Sequence, residues 1–211
     1  MHRYTLTAAV IVAALLGPLA LAASDEQVFG AKDHCVAYRT TKDMFFGMDV
    51  EVIGRSCDVT ASLMKTAAGS EPRIVVTVPA KSFKSGNIMR NRTVSDLLGA
   101  KVQPDLLFTS SPLDAESLRA DVDRGHFVLS GTLTLGGRDY PIDFPLELVE
   151  QAGGRYVKGH LETTFEAFEV EVPTIAFGLI ASPHEELELI VHLDLERVNG
   201  LEAWAASLGL K

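Results

Sequence analysis

Apolar and polar residues alternate with a period of two over much of the chain, which is the pattern of half-buried β-strands. In segments 126–135 and 187–195, nearly every odd position is apolar. Gly136-Gly137 gives a turn, and segment 142–148 returns with the same alternation, so the sequence predicts a hairpin. The same logic predicts further strands near residues 45–53, 56–65, 73–80, 106–111 and 117–122.

Helical spacing replaces alternation in two places. Val94, Leu97 and Leu98 stand at positions i, i+3 and i+4 and predict a short helix within residues 88–100. The tail, residues 200–211, predicts a second short helix. These are the two helices that we expect in an otherwise β-rich chain.

The strand pattern favours one closed domain. The apolar phase shifts between Phe165 and Phe168, which indicates a bulge or corner that re-aims a strand face, as barrels require. Eight or more short strands with short turns and one inserted helix favour an all-β fold, a single antiparallel eight-stranded β-barrel. A two-sheet sandwich is the alternative, because alternation alone does not separate the two folds.

The first two dozen residues have the features of an export signal. A charged start precedes an apolar run over residues 6–16, Gly17-Pro18 breaks the run, and Ala20-Leu21-Ala22 offers a cleavage pattern. We therefore expect a signal peptide over residues 1–22 and one domain over residues 23–211, in the periplasm or outside the cell. An uncleaved membrane anchor is the alternative interpretation.

Charge narrows the range of partners. The formal net charge is −9 at pH 7, which disfavours nucleic acid and an anionic membrane surface as partners. No later stretch is apolar and long enough to cross a bilayer, so we expect no stable membrane insertion after signal cleavage. The sequence leaves the oligomeric state open, a dimer included.

The two cysteines of the chain are expected to pair. Cys35 and Cys57 both lie in the mature part, and an exported protein folds in an oxidising compartment. The bond would close a loop of about 22 residues, worth about 3 kcal/mol in the chain-entropy model. Two free buried thiols are the alternative.

The sequence offers little evidence for catalysis or metal binding. The sequence has no Gly-x-Ser-x-Gly elbow, no Walker loop and no His-Glu-x-x-His pair. His126, His160 and His192 fall on the polar faces of predicted strands, where we expect surface residues. We therefore predict no enzyme, no catalytic residue, no metal ligand and no cofactor.

The stronger candidates are apolar residues that would line a ligand cavity. Ordinary core packing is the alternative role for each of them. Arg90 and Arg92 would meet the polar or anionic head of a ligand at the barrel mouth, or else lie in solvent at the start of the helix. The candidate ligand-binding residues are Phe45, Phe46, Met48, Ile88, Met89, Arg90, Leu97, Leu98, Phe108, Phe127, Phe144 and Phe177.

Three segments resemble the YceI-like family in order and spacing. They are residues 85–92 (SGNIMRNR), 98–108 (LGAKVQPDLLF) and 129–142 (LSGTLTLGGRDYPI), and the similarity extends over roughly residues 30–198. The resemblance implies an extended lipocalin-like barrel with a helix beside it. It also implies an elongated apolar cavity that holds a polyisoprenoid chain, such as that of a quinone. Arg90-Asn91-Arg92-Thr93 departs from the family pattern, which has an Asp and a His there.

Three functions follow as hypotheses. The first is an exported carrier of an isoprenoid-type lipid or quinone, bound as a ligand and not as a cofactor. The second is an exported interaction module whose barrel is filled by its own side chains. The third is an enzyme that acts on an apolar substrate in the same barrel.

Overall fold

A single sheet dominates the computed structural model, which describes residues 28–44, 48–65, 71–171 and 182–209. Within these ranges, three short helices accompany the sheet: α1 (Ile88–Leu97), α2 (Ala115–Arg124) and α3 (Leu201–Ser207). The strands are β1 (Cys35–Met44), β2 (Met48–Ser56), β3 (Thr60–Met64), β4 (Arg73–Pro79), β5 (Asp105–Ser110), β6 (His126–Leu135), β7 (Arg138–Gln151), β8 (Gly154–Thr164), β9 (Ser182–Pro183), β10 (Glu186–Asp194) and β11 (Val198–Asn199).

The sheet is strongly curled but mixed, which corrects the prediction of an eight-stranded antiparallel barrel. Its strand order is β11-β3-β4-β5-β6-β7-β8-β10-β1-β2, with β9 paired to β1. Among the described strands, all pairs are antiparallel except β11 with β3, which is parallel. Within the described ranges, the end strands β2 and β11 do not pair with each other. The result is a half-barrel whose open side needs another element to cover it.

The segment before α1 covers part of that open side. Lys84 forms an isolated antiparallel bridge to Arg55 of β2, with N–O distances of 2.9 and 2.8 Å. Phe83 packs in the core beside it. The edge of β2 is therefore continued by this bridge.

The predicted hairpin is confirmed as β6 and β7. Leu129 faces Phe144 across the pair, and Gly136 and Gly137 turn the chain with φ angles of 57° and 82°. Positive φ at both turn positions is the geometry of a two-residue hairpin turn that matches the twist of the strands, and glycine adopts it without strain.

Helix α1 is confirmed within residues 88–100. Asn87 caps its start, since its side chain accepts a hydrogen bond from the Arg90 amide at 3.0 Å. Just beyond its end, Gly99 has a φ of 69° and lies against the β6–β7 turn. A β-carbon at Gly99 would stand 2.4 Å from the Cα of Gly136, so only glycine allows this approach. The predicted tail helix is present as α3.

The strand predicted near residues 117–122 is wrong, because this segment forms helix α2. Asp114 caps it by accepting a hydrogen bond from the Ser117 amide at 2.8 Å, and Gly125 ends it with a φ of 75°. The apolar Leu118 and Val122 are four residues apart, a spacing that suits a helix as well as a strand. The cap at Asp114 and the left-handed Gly125 therefore favour a helix over a strand in this segment.

Strand β1 was not predicted, although it lies between β10 and β2 in the sheet. Its outward-facing side includes the buried Arg39, and this charge weakens the alternation that marks the other strands. The predicted corner after β8 is a 3₁₀ turn at Glu166–Phe168 followed by Glu169 in the left-handed region.

The expected disulfide joins Cys35, the first residue of β1, to Cys57, which follows the last residue of β2. It therefore links two adjacent strands at one end of the sheet. Cys35 also belongs to a small core on the outer side of the sheet, with Val28, Phe29, Ala37 and Ile190.

Replacing both cysteines by serine should lower the free energy of unfolding by about 3 kcal/mol, because a loop of this length is then free in the unfolded chain. Urea denaturation checks this. The wild-type protein in reductant should lose a similar amount of stability. Unchanged midpoints under both conditions would mean that the bond does not form in solution.

Candidate functional site

The concave side of the sheet encloses an apolar cavity of about 770 Å³. This volume lies in the usual range for small-molecule sites. The alternating residues of β6, β7 and β10 point into it, because every second side chain of a strand faces the same side. Their contributions to the wall are Phe127, Leu129, Leu133, Leu135, Ile142, Phe144, Leu146, Leu148, Leu187, Leu189, Val191 and Leu193.

Helices α2 and α3 line one end of the cavity. Leu118 and Val122 of α2 line it, as do Leu201 and Trp204 of α3. The guanidinium of Arg119 donates a hydrogen bond to the carbonyl of Leu208 and so ties α2 to the end of α3. This end is covered by two short helices and not by strands.

The same end carries the charged part of the wall. Among the described residues that line the cavity, the charged ones are Arg155, Glu196 and Glu202. Arg155 is the second residue of β8, while Glu196 and Glu202 lie in the chain that leads into α3. All three are exposed to solvent, so this end is a polar rim around an apolar interior.

The opposite end is apolar. Phe165, Phe168 and Val170 follow the last residue of β8 and line the cavity. The Phe168 ring packs edge-on against Tyr140, with 5.6 Å between the ring centres. Arg155 and Phe165 lie ten residues apart along β8, about 33 Å at the rise of a strand. The cavity is therefore elongated, with a polar rim at one end only.

Helix α1 supplies part of the side wall. Val94, Leu97 and Leu98 line the cavity next to Tyr38 of β1. The Tyr38 ring lies across Gly54, where an added β-carbon would stand 2.1 Å from the ring. Burial raises the pKa of the Tyr38 hydroxyl, partly offset by the nearby charge of Arg90 and a hydrogen bond with Ser85.

The structure brings five of the predicted ligand-binding residues to the cavity wall: Leu97, Leu98, Phe108, Phe127 and Phe144. Contact between any of them and a ligand stays a prediction. Phe45, Phe46 and Phe177 lie outside the described residues, and the description of Met48 covers its backbone alone.

Ile88 and Met89 are placed elsewhere than predicted. Their exposed fractions are 85% and 72%, and neither lines the cavity. The reason lies in the first turn of α1, where the next two residues, Arg90 and Asn91, turn back onto Ser85. Arg90 Nε donates to the Ser85 hydroxyl at 2.7 Å, and Asn91 Oδ1 accepts from the Ser85 amide at 2.9 Å.

Sequence reasoning missed several wall residues, notably Leu118, Val122 and Trp204. The leucines of β6 and β10 were identified as one strand face but not named as site residues. Their shared phase with Phe127 was the available signal, because residues of one phase face one side. For α2, the available signal was the pair of helix ends, with Asp114 as the N-cap and Gly125 at the C-terminus.

His192 is buried, with 2% of its surface exposed, which corrects the expectation of a surface residue. Its ring stacks between Tyr156 and Phe29, and its Nδ1 lies 2.7 Å from the carbonyl oxygen of Asp33. Residues 28–33 therefore cover the outer face of β10 here. Alternation identifies the face of a strand, but not whether another segment covers it.

A polar cluster also lies on the outer face. Arg39 Nε donates to Glu188 at 2.8 Å, and His160 Nε2 lies 2.7 Å from the same carboxylate oxygen. Partial burial by itself would raise the pKa of Glu188, but the hydrogen bond and charge of Arg39, helped by His160, hold that pKa below its ordinary value. None of the three lines the cavity, so we interpret the cluster as structural.

In the part of the chain that the structure describes, no group of three or more His, Cys, Asp or Glu side chains is placed to hold a metal ion. None of the helices found there is long and apolar enough to cross a bilayer.

A curled sheet around an elongated apolar cavity defines a class of small-molecule binding proteins. The chain belongs to the YceI-like domain family, whose model matches residues 31–195. No curated protein sequence matches the chain.

Several solved structures are similar to this chain. Burkholderia cenocepacia BcnA is similar with a TM-score of 0.54 and 20% identity, over 76% of this chain and 95% of that one. A Campylobacter jejuni YceI protein has a TM-score of 0.49 and 21% identity, over 67% and 82% of the two chains. A polyisoprenoid binding domain from Saccharophagus degradans, implicated in plant cell wall breakdown, has a TM-score of 0.49 and 14% identity, over 75% and 92%. At these identities, the BcnA match supports the fold and nothing more.

His34 should make stability depend on pH. It is buried, and the Asp194 amide donates to its Nδ1 at 3.1 Å, so the neutral ring is the form that fits. Burial, followed by the charge of Arg197, lowers the pKa of His34. A folded-state pKa below the unfolded value of about 6.5 contributes stability above that pH, which is lost as the pH falls toward the folded pKa.

Urea denaturation at several pH values tests this expectation. The free energy of unfolding should decrease on acidification below about pH 6.5. His34→Asn keeps an acceptor near the position of Nδ1 and should reduce this slope. The matched control is His126→Asn at an exposed position, which should leave the slope unchanged. Equal slopes in all three proteins would contradict the assignment of a neutral His34.

Proposed function

We propose that this protein is an exported carrier that holds a long apolar lipid, of isoprenoid type and quinones included, inside the curled sheet. The observation that carries the proposal is the cavity of about 770 Å³ with its apolar wall. Binding, and not catalysis, is the proposed role. The isoprenoid character of the ligand comes from the family resemblance, while the apolar tail is argued from the cavity itself.

Energetics favour a long tail over a small ligand. Each buried methylene contributes about 0.8 kcal/mol, whereas association costs about 4–15 kcal/mol in lost freedom of motion. A short apolar molecule would not offset that cost in a wall with few polar groups. A tail that extends along β8 toward Phe165 would bury many methylenes and would therefore bind.

The polar rim sets the direction of the bound lipid. Arg155, Glu196 and Glu202 line the cavity at the α3 end, whereas Phe165 and Phe168 line the other end. A polar headgroup keeps its hydrogen bonds at the rim and would lose them at the apolar end. We therefore place the headgroup near α3 and the tail end near Phe168.

Export fits the same proposal. Residues 1–22 have the sequence pattern of a signal peptide, which would direct the chain out of the cytoplasm, and the disulfide between Cys35 and Cys57 suits an oxidising compartment. We therefore propose the periplasm or the cell exterior as its location. A carrier there would shield an apolar tail from water.

The open cavity also favours a carrier over the alternative function, an interaction module whose barrel is filled by its own side chains. In a filled barrel the inward side chains of β6 and β10 would pack against one another across the interior. Here the same side chains line open space. The carrier is therefore the better-supported of the two functions.

Trp204 provides a probe of binding, because it is the single tryptophan of the chain and lines the cavity. A quinone with a long isoprenoid tail should quench its fluorescence saturably. The same quinone ring without a tail should quench weakly, since the tail supplies most of the binding free energy.

Two neighbouring substitutions on β6 test the location. Leu129 lines the cavity, whereas Val128 faces the other way and is exposed. Leu129→Phe should weaken binding about tenfold, because overfilling a site costs about 1–3 kcal/mol. Val128→Phe should leave binding unchanged. Equal effects of the two variants, or no saturable quenching by any long-tailed prenyl lipid, would contradict the carrier function.

A further inference from the structure

We propose that the start of α1, together with the segment before it, docks onto anionic phospholipid membranes. The surface consists of Lys81, Lys84, Ile88, Met89 and Arg92, and we refer to it as the α1 surface. The proposal goes beyond the proposed function, because it holds for any ligand in the cavity and concerns the outside of the protein.

The apolar part of the α1 surface is a pair of neighbouring side chains. Ile88 and Met89 are 85% and 72% exposed, and both belong to the first turn of α1. Large apolar side chains at such exposure gain free energy when they enter the boundary between lipid headgroups and acyl chains. Adjacent placement allows both to enter the same patch of membrane.

The pair is held outward by hydrogen bonds on the other side of the turn. Asn87 caps the Arg90 amide at 3.0 Å, and Arg90 and Asn91 both bond to Ser85. These contacts fix the first turn of α1 while Ile88 and Met89 remain without apolar cover. The exposed pair is therefore part of an ordered surface.

The basic part consists of three cations that flank this pair in the sequence. Residues 72–95 contain no Asp or Glu in a chain whose net charge is −9. Lys81, Lys84 and Arg92 are exposed. In the part of the chain that the structure describes, no carboxylate lies within ion-pair distance of these three residues. Their charge is therefore available to an anionic partner.

Local charge outweighs net charge at short range. The Debye length at physiological ionic strength is about 8 Å, so acidic residues farther than that from the membrane are largely screened. The exposed cations of the α1 surface would touch the headgroups directly, each strengthening binding about fivefold. This reconciles an acidic protein with an anionic membrane.

Docking at the α1 surface would bring the membrane close to the cavity. The same helix lines the cavity with Val94, Leu97 and Leu98. A membrane at the α1 surface would therefore lie one helix away from the ligand compartment.

Vesicle flotation with the mature chain tests the proposal. We expect binding to vesicles of phosphatidylcholine mixed with phosphatidylglycerol, and little binding to vesicles of phosphatidylcholine alone. Raising the salt concentration should weaken the binding. Ile88→Ser with Met89→Ser should weaken it about tenfold or more, and Lys84→Gln with Arg92→Gln by about tenfold or more.

The control combines Val102→Ser and Lys32→Gln, which remove one exposed apolar residue and one exposed cation elsewhere. It should bind like the wild type. The four substituted residues of the α1 surface are exposed, so circular dichroism should show unchanged folding in both double variants. The apolar pair and the basic pair are tested separately. Absent binding, equal binding to neutral vesicles, or equal losses in the control would overturn the proposal and leave a protein as the candidate occupant of this surface.

Discussion

The concave face of the sheet carries leucine, isoleucine and phenylalanine side chains that must be kept from water, and the elements around it serve that requirement. Strands β6, β7 and β10 place these side chains on one face by alternation. Curling brings the face around on itself, but the end strands β2 and β11 do not pair. Helix α1 covers part of the side, α2 and α3 cover one end, and the turn after β8 lines the other.

The outer face of the sheet is arranged differently, because a segment of the chain covers part of it. Residues 28–33 pack over β10, where His192 stacks against Phe29 and Tyr156. The disulfide joins β1 to the residue after β2 close to this cover. Farther along the same face, Glu188 joins Arg39 to His160. The buried polar groups thus stabilise the outside of the sheet and leave the inside apolar.

Local sequence signals predicted those parts of the fold that depend on local physics. The Gly136-Gly137 hairpin, the capped helix α1 and the helix at the tail are all formed by residues close in sequence. Closure depends on long-range packing, so alternation could not distinguish an eight-stranded barrel from a half-barrel that α1 covers in part. The segment with Leu118 and Val122 was predicted as a strand for a related reason. A spacing of four residues fits both the period of a helix and the period of a strand.

The sequence indicates which strand residues share a face, but not how a helical turn is oriented. Phe108, Phe127 and Phe144 line the cavity, because a strand face is readable from its phase. Ile88 and Met89 do not line it, since hydrogen bonds to Ser85 orient the first turn of α1, and hydrophobicity alone does not reveal that orientation. Burial of His192 depended on a segment distant in sequence.

If the cavity holds a long apolar lipid, as we propose, that lipid should be present in the purified protein. Protein purified from the envelope of a native exporting host would be extracted with organic solvent, and the extract analysed by mass spectrometry. The account predicts about one isoprenoid-type lipid per chain, since an elongated apolar cavity of this size gains free energy from a buried tail. Protein that carries no stoichiometric lipid would contradict the claim and make the same wall residues plain core.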